Sequence, residues 1–140
     1  RHLAGKRIMR EHPFTLRLAG DAASYVKGAM DLVVVDGESA TVYDYKYLEK
    51  GKAELAGYRF QIRTYMLALA RAWPEKRIGG KLLFLKGGEE EAVACDVAAF
   101  EAELLRIMNA VRRRQGEDEF SLREACDGGD CPFRQRCLKQ

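Results

Sequence analysis

The sequence predicts a mixed α/β fold: a central mixed sheet flanked by helices. Three observations predict it. Residues 24–47 are mostly apolar and β-branched on both sides of an Asp-Gly pair, as a half-buried hairpin is. Residues 53–73 repeat apolar side chains at helical spacing. A second strand–turn–strand pattern and a second amphipathic helix follow at 78–114.

In order along the chain, RIMREHPFTLRLA, residues 7–19, alternates loosely and predicts a strand broken near Pro13. Residues 24–36 and 40–47 predict the two hairpin strands, with Asp36-Gly37 as the turn signal. In the helix at 53–73, Leu55, Tyr58, Ile62, Met66, Leu69 and Trp73 form one apolar stripe, and Pro74 ends it. IGGKLLFLK, residues 78–86, predicts a strand that pairs through the Gly87-Gly88 turn with EEEAVACDV, residues 89–97. Residues 98–114 predict the second helix, with Arg112, Arg113 and Arg114 at the end where the helix dipole favours cations. From Glu117 the chain is acidic and then cysteine-rich, with no clear element.

The 140 residues suit a single domain over 1–140, with 117–140 as a Cys-rich C-terminal segment. At 47% hydrophobic and 32% charged, the composition is that of a water-soluble globular protein. No apolar run has the length of a membrane span, and we expect no membrane partner; we also expect a cytoplasmic location, for which the absence of a visible signal peptide says little in part of a longer chain. A net charge of +3 permits a nucleic-acid partner without arguing for one. The chain opens at Arg1 in what reads as mid-protein sequence, and we expect it to be part of a longer protein. Cys126, Cys131 and Cys137 crowd the last fifteen residues and read as a metal site or a disulfide knot, whereas Cys95 stands apart in a predicted strand.

Three charges interrupt the hairpin: Asp31 in its first strand, Asp44 and Lys46 in its second. If Val35 pairs with Ala40, Asp31 lies directly opposite Asp44. If Asp36-Gly37 alone is the loop, Asp31 lies diagonal to Asp44. Either register puts both carboxylates and Lys46 on one face, because side chains repeat every two residues. Opposed β-carbons stand about 4.5–5.5 Å apart, and facing like charges destabilise a sheet. A divalent cation between two carboxylates removes the conflict, and oxygen ligands suit Mg²⁺ or Mn²⁺. A surface ion pair of Lys46 with one aspartate is the alternative, and the residue pattern leaves both readings open.

These residues resemble those of the PD-(D/E)XK nucleases, more narrowly the RecB-like nuclease domains of AddA/AddB/RecB-type bacterial helicase–nucleases and their CRISPR-adaptation relatives. That group carries Gly-x-x-Asp, Asp/Glu-x-Lys and Gln-x-x-x-Tyr in this order, matched here by Gly28 and Asp31, Asp44 and Lys46, Gln61 and Tyr65. Glu11, Pro13 and Phe14 resemble its Glu-x-Pro-Phe strand, and CPFRQRC its C-terminal cysteine signature. Met30 stands where the superfamily's name has a proline, which the RecB-like branch does not require. The group's metal-binding histidine would precede the Glu-x-Pro-Phe strand by more than His2 does, so we expect it upstream of Arg1.

The resemblance implies a restriction-endonuclease-like core and a Mg²⁺- or Mn²⁺-dependent deoxyribonuclease acting in double-strand-break repair and recombination. Asp31, Asp44 and the Tyr45 backbone carbonyl would hold the metal, and Lys46 would position the nucleophile. Gln61 and Tyr65 would orient the lysine and the DNA strand, and Arg59 and Arg63 would meet phosphates. Glu11 would support the metal through water, or pair with Lys46 or an arginine. Cys126, Cys131 and Cys137 would hold a [4Fe-4S] cluster in the full-length protein, with a fourth ligand upstream or at Cys95; a zinc site or a thiol-bearing tail are the alternatives. The partners implied are DNA and a helicase, in the same chain or in a partner subunit. The rival reading is a non-catalytic nuclease-like module that binds DNA or a partner subunit.

Overall fold

A computed structural model describes residues 5–18 and 24–116 of the chain. The elements run β1 (Arg7–Leu18), β2 (Ser24–Asp36), β3 (Ser39–Lys46), α1 (Leu55–Ala72), β4 (Arg77–Phe84), β5 (Glu89–Ala92) and α2 (Val97–Gly116), with a 3₁₀ turn at Lys50–Lys52. The strands form one sheet in the order β1-β2-β3-β4-β5. All neighbours are antiparallel except β3 and β4, which are parallel and joined through α1. This is an α/β fold with a mixed sheet, consistent with the restriction-endonuclease-like core. By contact the chain divides into two compact units, Arg1–Leu105 and Arg106–Gln140. The three clustered cysteines, Cys126, Cys131 and Cys137, lie outside the described residues, as does His2.

The first unit's core lies between the sheet and α1. Val33, Ala40, Val42, Leu82 and Phe84 come from the strands, and Ile62, Met66, Leu67 and Leu69 from α1, all of them buried. The approach is closest at Gly80 in β4. A Cβ there would stand 2.5 Å from Ile62 Cγ2 and 2.7 Å from Met66 Sδ, so only glycine lets the helix lie this near the sheet. Phe60 of α1 meets Phe100 of α2 edge to face at 5.2 Å, and Arg71 pairs with Glu101.

The hairpin takes one of its two expected registers. Val35 pairs with Ala40 and Asp36 with Ser39, leaving Gly37 and Glu38 as the turn, with Gly37 at φ 54°. The Ser39 hydroxyl closes the turn by donating to the Asp36 carbonyl at 3.0 Å.

Three elements differ from expectation. First, β1 runs unbroken through Pro13, which pairs with Ala29. As an edge strand it has a free side on which a missing N–H costs nothing. Its irregularity lies instead at Glu11, whose φ is 46°. Arg10 pairs with Leu32 and His12 with Met30, so Glu11 stands abreast of Asp31. Across this row the burial of β2 changes parity, from even positions at Ser24 and Met30 to the odd position Val33. Second, β5 ends at Ala92 rather than at 97. Asp96 explains the stop: its side chain accepts from the Ala99 N–H at 3.0 Å and its carbonyl from the Phe100 N–H at 2.9 Å, capping α2. Third, Cys95 therefore lies in the link between β5 and α2, half-buried and unpaired, and not in a strand.

Candidate active site

The site grows from the middle of β2 and β3. Leu32 pairs with Tyr43, and one step further along the same register Asp31 comes abreast of Asp44. The two strands are tied there by a side chain: the Tyr45 N–H donates to Asp31 Oδ2 at 2.9 Å. Asp44 also lies beside Leu82 of β4, and its side chain is 3% exposed. Two steps on, Lys46 emerges on the Asp44 face and its ammonium reaches Asp44 Oδ2 at 2.5 Å. That contact is a close ion pair, but the ammonium is not well directed at this fully buried oxygen, which has no other donor.

From Lys46 the chain of contacts passes to α1. Lys46 Nζ donates to Gln61 Oε1 at 3.0 Å, and Gln61 Nε2 donates to Tyr65 Oη at 2.7 Å. Gln61 and Tyr65 are one turn apart, which puts both on the helix side facing the hairpin. The Tyr58 ring lies under the Lys46 ammonium, 4.5 Å from centroid to nitrogen. The ring of Tyr65 is itself buried and meets Phe14 of β1 edge to face at 5.5 Å. Phe14 in turn needs Gly28, its cross-strand partner, because a Cβ there would stand 3.0 Å from the Phe14 ring. The glycine before Asp31 thus makes room for the ring that buttresses Tyr65.

Burial and charge shift two of these groups. Burial pushes the Asp44 carboxyl above its ordinary range; Lys46 pulls it back and the Asp31 charge pushes it up again. The Tyr65 phenol is raised as well, first by burial, while the hydrogen bond from Gln61 opposes this. Tyr65 is therefore a protonated phenol at neutral pH. Because it accepts from Gln61, its own O–H proton remains available to a further acceptor.

The other expected residues are not gathered with these: Arg59 and Arg63 lie across α1 from Gln61, two residues away on either side, and meet β5 and the link to α2. Glu11 is exposed and makes no ion pair with Lys46 or an arginine among the described residues. Arg59 is held by Glu91 of β5, Nε to Oε1 at 2.6 Å, and Lys50 meets the same carboxylate at 3.2 Å. Arg63 donates from Nε to the Ala94 carbonyl at 3.1 Å. With Cys95, Asp96 and Glu103 it lines a cavity of about 190 Å³. Among the described residues no three His, Cys, Asp or Glu side chains converge as a metal cage, so Asp31 and Asp44 stand as a pair. Sequence reasoning placed Tyr58 in the core stripe and passed over Glu91. The lysine contact was unreadable in a helical repeat, and Glu91 is one of three consecutive glutamates.

A family model described as the PD-(D/E)XK nuclease superfamily matches residues 2–138. Among solved structures, one described as "Crystal structure of SSO0001" is similar with a TM-score of 0.53 at 13% identity, covering 74% of this chain and 50% of that one. At that identity the likeness is one of fold, and this chain spans half the length of the other. No curated protein matches the chain.

Proposed function

The chain belongs to the PD-(D/E)XK nuclease superfamily, and from that premise we propose that it hydrolyses DNA phosphodiesters with the help of Mg²⁺ or Mn²⁺. Nucleases of this superfamily generally use divalent metals. The observation that carries the reading is the contact chain Asp44–Lys46–Gln61–Tyr65, set beside Asp31. A fold has no structural need to bury Asp44 abreast of a second carboxylate, with one of its oxygens served only by a poorly directed ammonium. That oxygen fits a hard cation, which takes oxygen donors.

Asp31, Asp44 and the Tyr45 carbonyl are the groups that would hold the ion. When bound, it would acidify the attacking water and offset charge on the phosphate. The chain's own residues supply the rest. Lys46 is anchored by Gln61 and Asp44, so its ammonium is fixed where it can orient the nucleophile or offset charge on the phosphate. Gln61 spends both ends of its amide holding Lys46 and Tyr65 in register. The protonated Tyr65 phenol keeps a donor for a phosphate oxygen. Arg59 and Arg63, held through Nε by Glu91 and the Ala94 carbonyl on the side of α1 away from Gln61 and Tyr65, would meet phosphates only outside this centre.

More narrowly, we place the chain with the RecB-like nuclease domains of bacterial helicase–nucleases, a DNA-repair role with a helicase partner in the cytoplasm. The order of Gly28-x-x-Asp31, Asp44-x-Lys46 and Gln61-x-x-x-Tyr65 supports this. On the same reading, Cys126, Cys131 and Cys137 hold a [4Fe-4S] cluster in the full-length protein. Protein purified without oxygen would then be brown, and a colourless preparation with stoichiometric zinc would overturn it. The nuclease assignment is tested with labelled single-stranded DNA in Mn²⁺ or in EDTA. Cleavage in Mn²⁺ that EDTA stops, and that Asp44→Asn loses, is expected. Cleavage unaffected by Asp44→Asn would overturn it.

A further inference from the structure

Lys46 has three partners, and metal binding takes one of them away. Its ammonium meets Asp44 Oδ2 at 2.5 Å, Gln61 Oε1 at 3.0 Å and the face of the Tyr58 ring, 4.5 Å from the centroid. Asp44 Oδ2 is also the buried oxygen that fits a hard cation. An ammonium and a divalent ion repel one another and cannot both sit on one oxygen at such a distance. With the ion bound, Lys46 therefore keeps only Gln61 and Tyr58. Other cations of the fold meet no such conflict: Lys6, Lys50, Arg59 and Lys81 each rest on a carboxylate outside the centre.

Tyr58 is suited to hold the lysine then. Tyr58, Gln61 and Tyr65 recur at i, i+3 and i+7, along the side of α1 that faces the hairpin. The ring is half-buried, which strengthens its attraction for an ammonium. Its hydroxyl makes no hydrogen bond among the described residues, so the ring face is what Tyr58 contributes. A carboxylate in the same place would add a third anion beside Asp31 and Asp44 and repel a phosphodiester. A ring face holds the ammonium and adds no net charge. We propose that Tyr58 is a positioning residue of this centre: its ring keeps the Lys46 ammonium in place when Asp44 Oδ2 passes to the metal ion. The proposal rests on the metal-dependent nuclease reading above.

The test has a readout apart from cleavage. In protein carrying isotope-labelled lysine, the Tyr58 ring should shift the NMR signals of the Lys46 ε-methylene protons upfield, and Lys46→Met identifies those signals by their loss. The shift should persist from EDTA into saturating Mg²⁺, remain in Tyr58→Phe and vanish in Tyr58→Leu. Cleavage per folded molecule should fall roughly tenfold in Tyr58→Leu, the scale of one partly desolvated cation–π contact, and hold in Tyr58→Phe. Mn²⁺ affinity by calorimetry should be unchanged in both, because Tyr58 holds Lys46 with and without the ion. Lys46 signals that lose their ring shift when Mg²⁺ binds would overturn the proposal, as would full-rate cleavage by Tyr58→Leu. The Mg²⁺ titration of the unsubstituted protein decides even where Tyr58→Leu does not fold. If the unsubstituted protein does not cleave, the nuclease reading falls and takes this proposal with it. That failure is told apart from the others because the ring shift of Lys46 in EDTA remains.

Discussion

Lys46 Nζ stands 2.5 Å from Asp44 Oδ2 and 3.0 Å from Gln61 Oε1, with its side chain only 15% exposed. A surface ion pair would leave both partners wet. Here the carboxylate is almost dry and stands abreast of a second carboxylate, and one ammonium serves it and an amide. The arrangement concentrates charge that folding alone would disperse, and the substitutions below separate its functional part from its structural part.

Asp44→Asn keeps the shape and removes the buried charge. The folded-state pKa of Asp44 is raised, so between its ordinary value of 3.8 and the raised value the folded protein binds more protons than the unfolded chain. Stability therefore falls as pH rises through that window, and the asparagine variant lacks this fall. Melting curves without metal should show Asp44→Asn at least as stable as the unsubstituted protein at neutral pH. Mn²⁺ should raise the melting temperature of the unsubstituted protein by mass action and leave that of the variant unmoved.

Lys46→Ala makes the opposite change. It leaves the Asp44 carboxylate buried without its cation, at a cost of about 1–3 kcal/mol at neutral pH. The loss should shrink in acid, where Asp44 is protonated in the folded state. Lysine is not a ligand, so the variant should still be stabilised by Mn²⁺ while cleavage stops. If cleavage survives at near-normal rate, Lys46 is a structural counter-ion only.

The hairpin was legible in the sequence because two signals agree there: the Asp36-Gly37 pair and the apolar, β-branched runs on either side of it, of which β3 buries every second residue, Ala40, Val42 and Asp44. Both allowed registers gathered Asp31, Asp44 and Lys46 on one face, so that part of the centre followed from counting. The end of β5 was not legible, because Val93, Ala94 and Cys95 continue a strand-like composition and the stop comes from Asp96 capping α2. Nor was Glu11. Its φ of 46° is set by the sheet around it and has no signature in a stretch where Pro13 is the obvious breaker. Tyr65 was legible as a site residue only through the motif, since its burial makes it equally a core residue.

Gly80→Ala tests how the helix-borne half of the centre is positioned. The new Cβ meets Ile62 at 2.5 Å and Met66 at 2.7 Å, so α1 must shift or both side chains must leave their places. Overpacking of this kind costs about 1–3 kcal/mol. Gln61 shares that turn of the helix, so its hydrogen bond to Lys46 should lengthen. Cleavage by the folded variant should fall although Gly80 touches no substrate. A stability loss with unchanged cleavage per folded molecule would show that α1 placement is not critical.

Tyr65 serves two ends, and two substitutions divide them. Its ring is buried against Phe14, so Tyr65→Ala opens a cavity and should cost about 3–5 kcal/mol, comparable to other buried aromatic truncations. Leu69→Ala, a buried aliphatic control on the same helix, should cost about 2–5 kcal/mol without a specific effect on cleavage. Tyr65→Phe keeps the ring against Phe14 and removes only the hydroxyl. It strands one Gln61 N–H, which loosens the amide that anchors Lys46. Stability should therefore change by only about 1 kcal/mol, while cleavage per folded molecule drops. Thermal melts and single-turnover cleavage of the same preparations give both readings. If Tyr65→Phe cleaves as fast as the unsubstituted protein, the phenol has no part in the reaction and Tyr65 is a core residue that happens to touch Gln61.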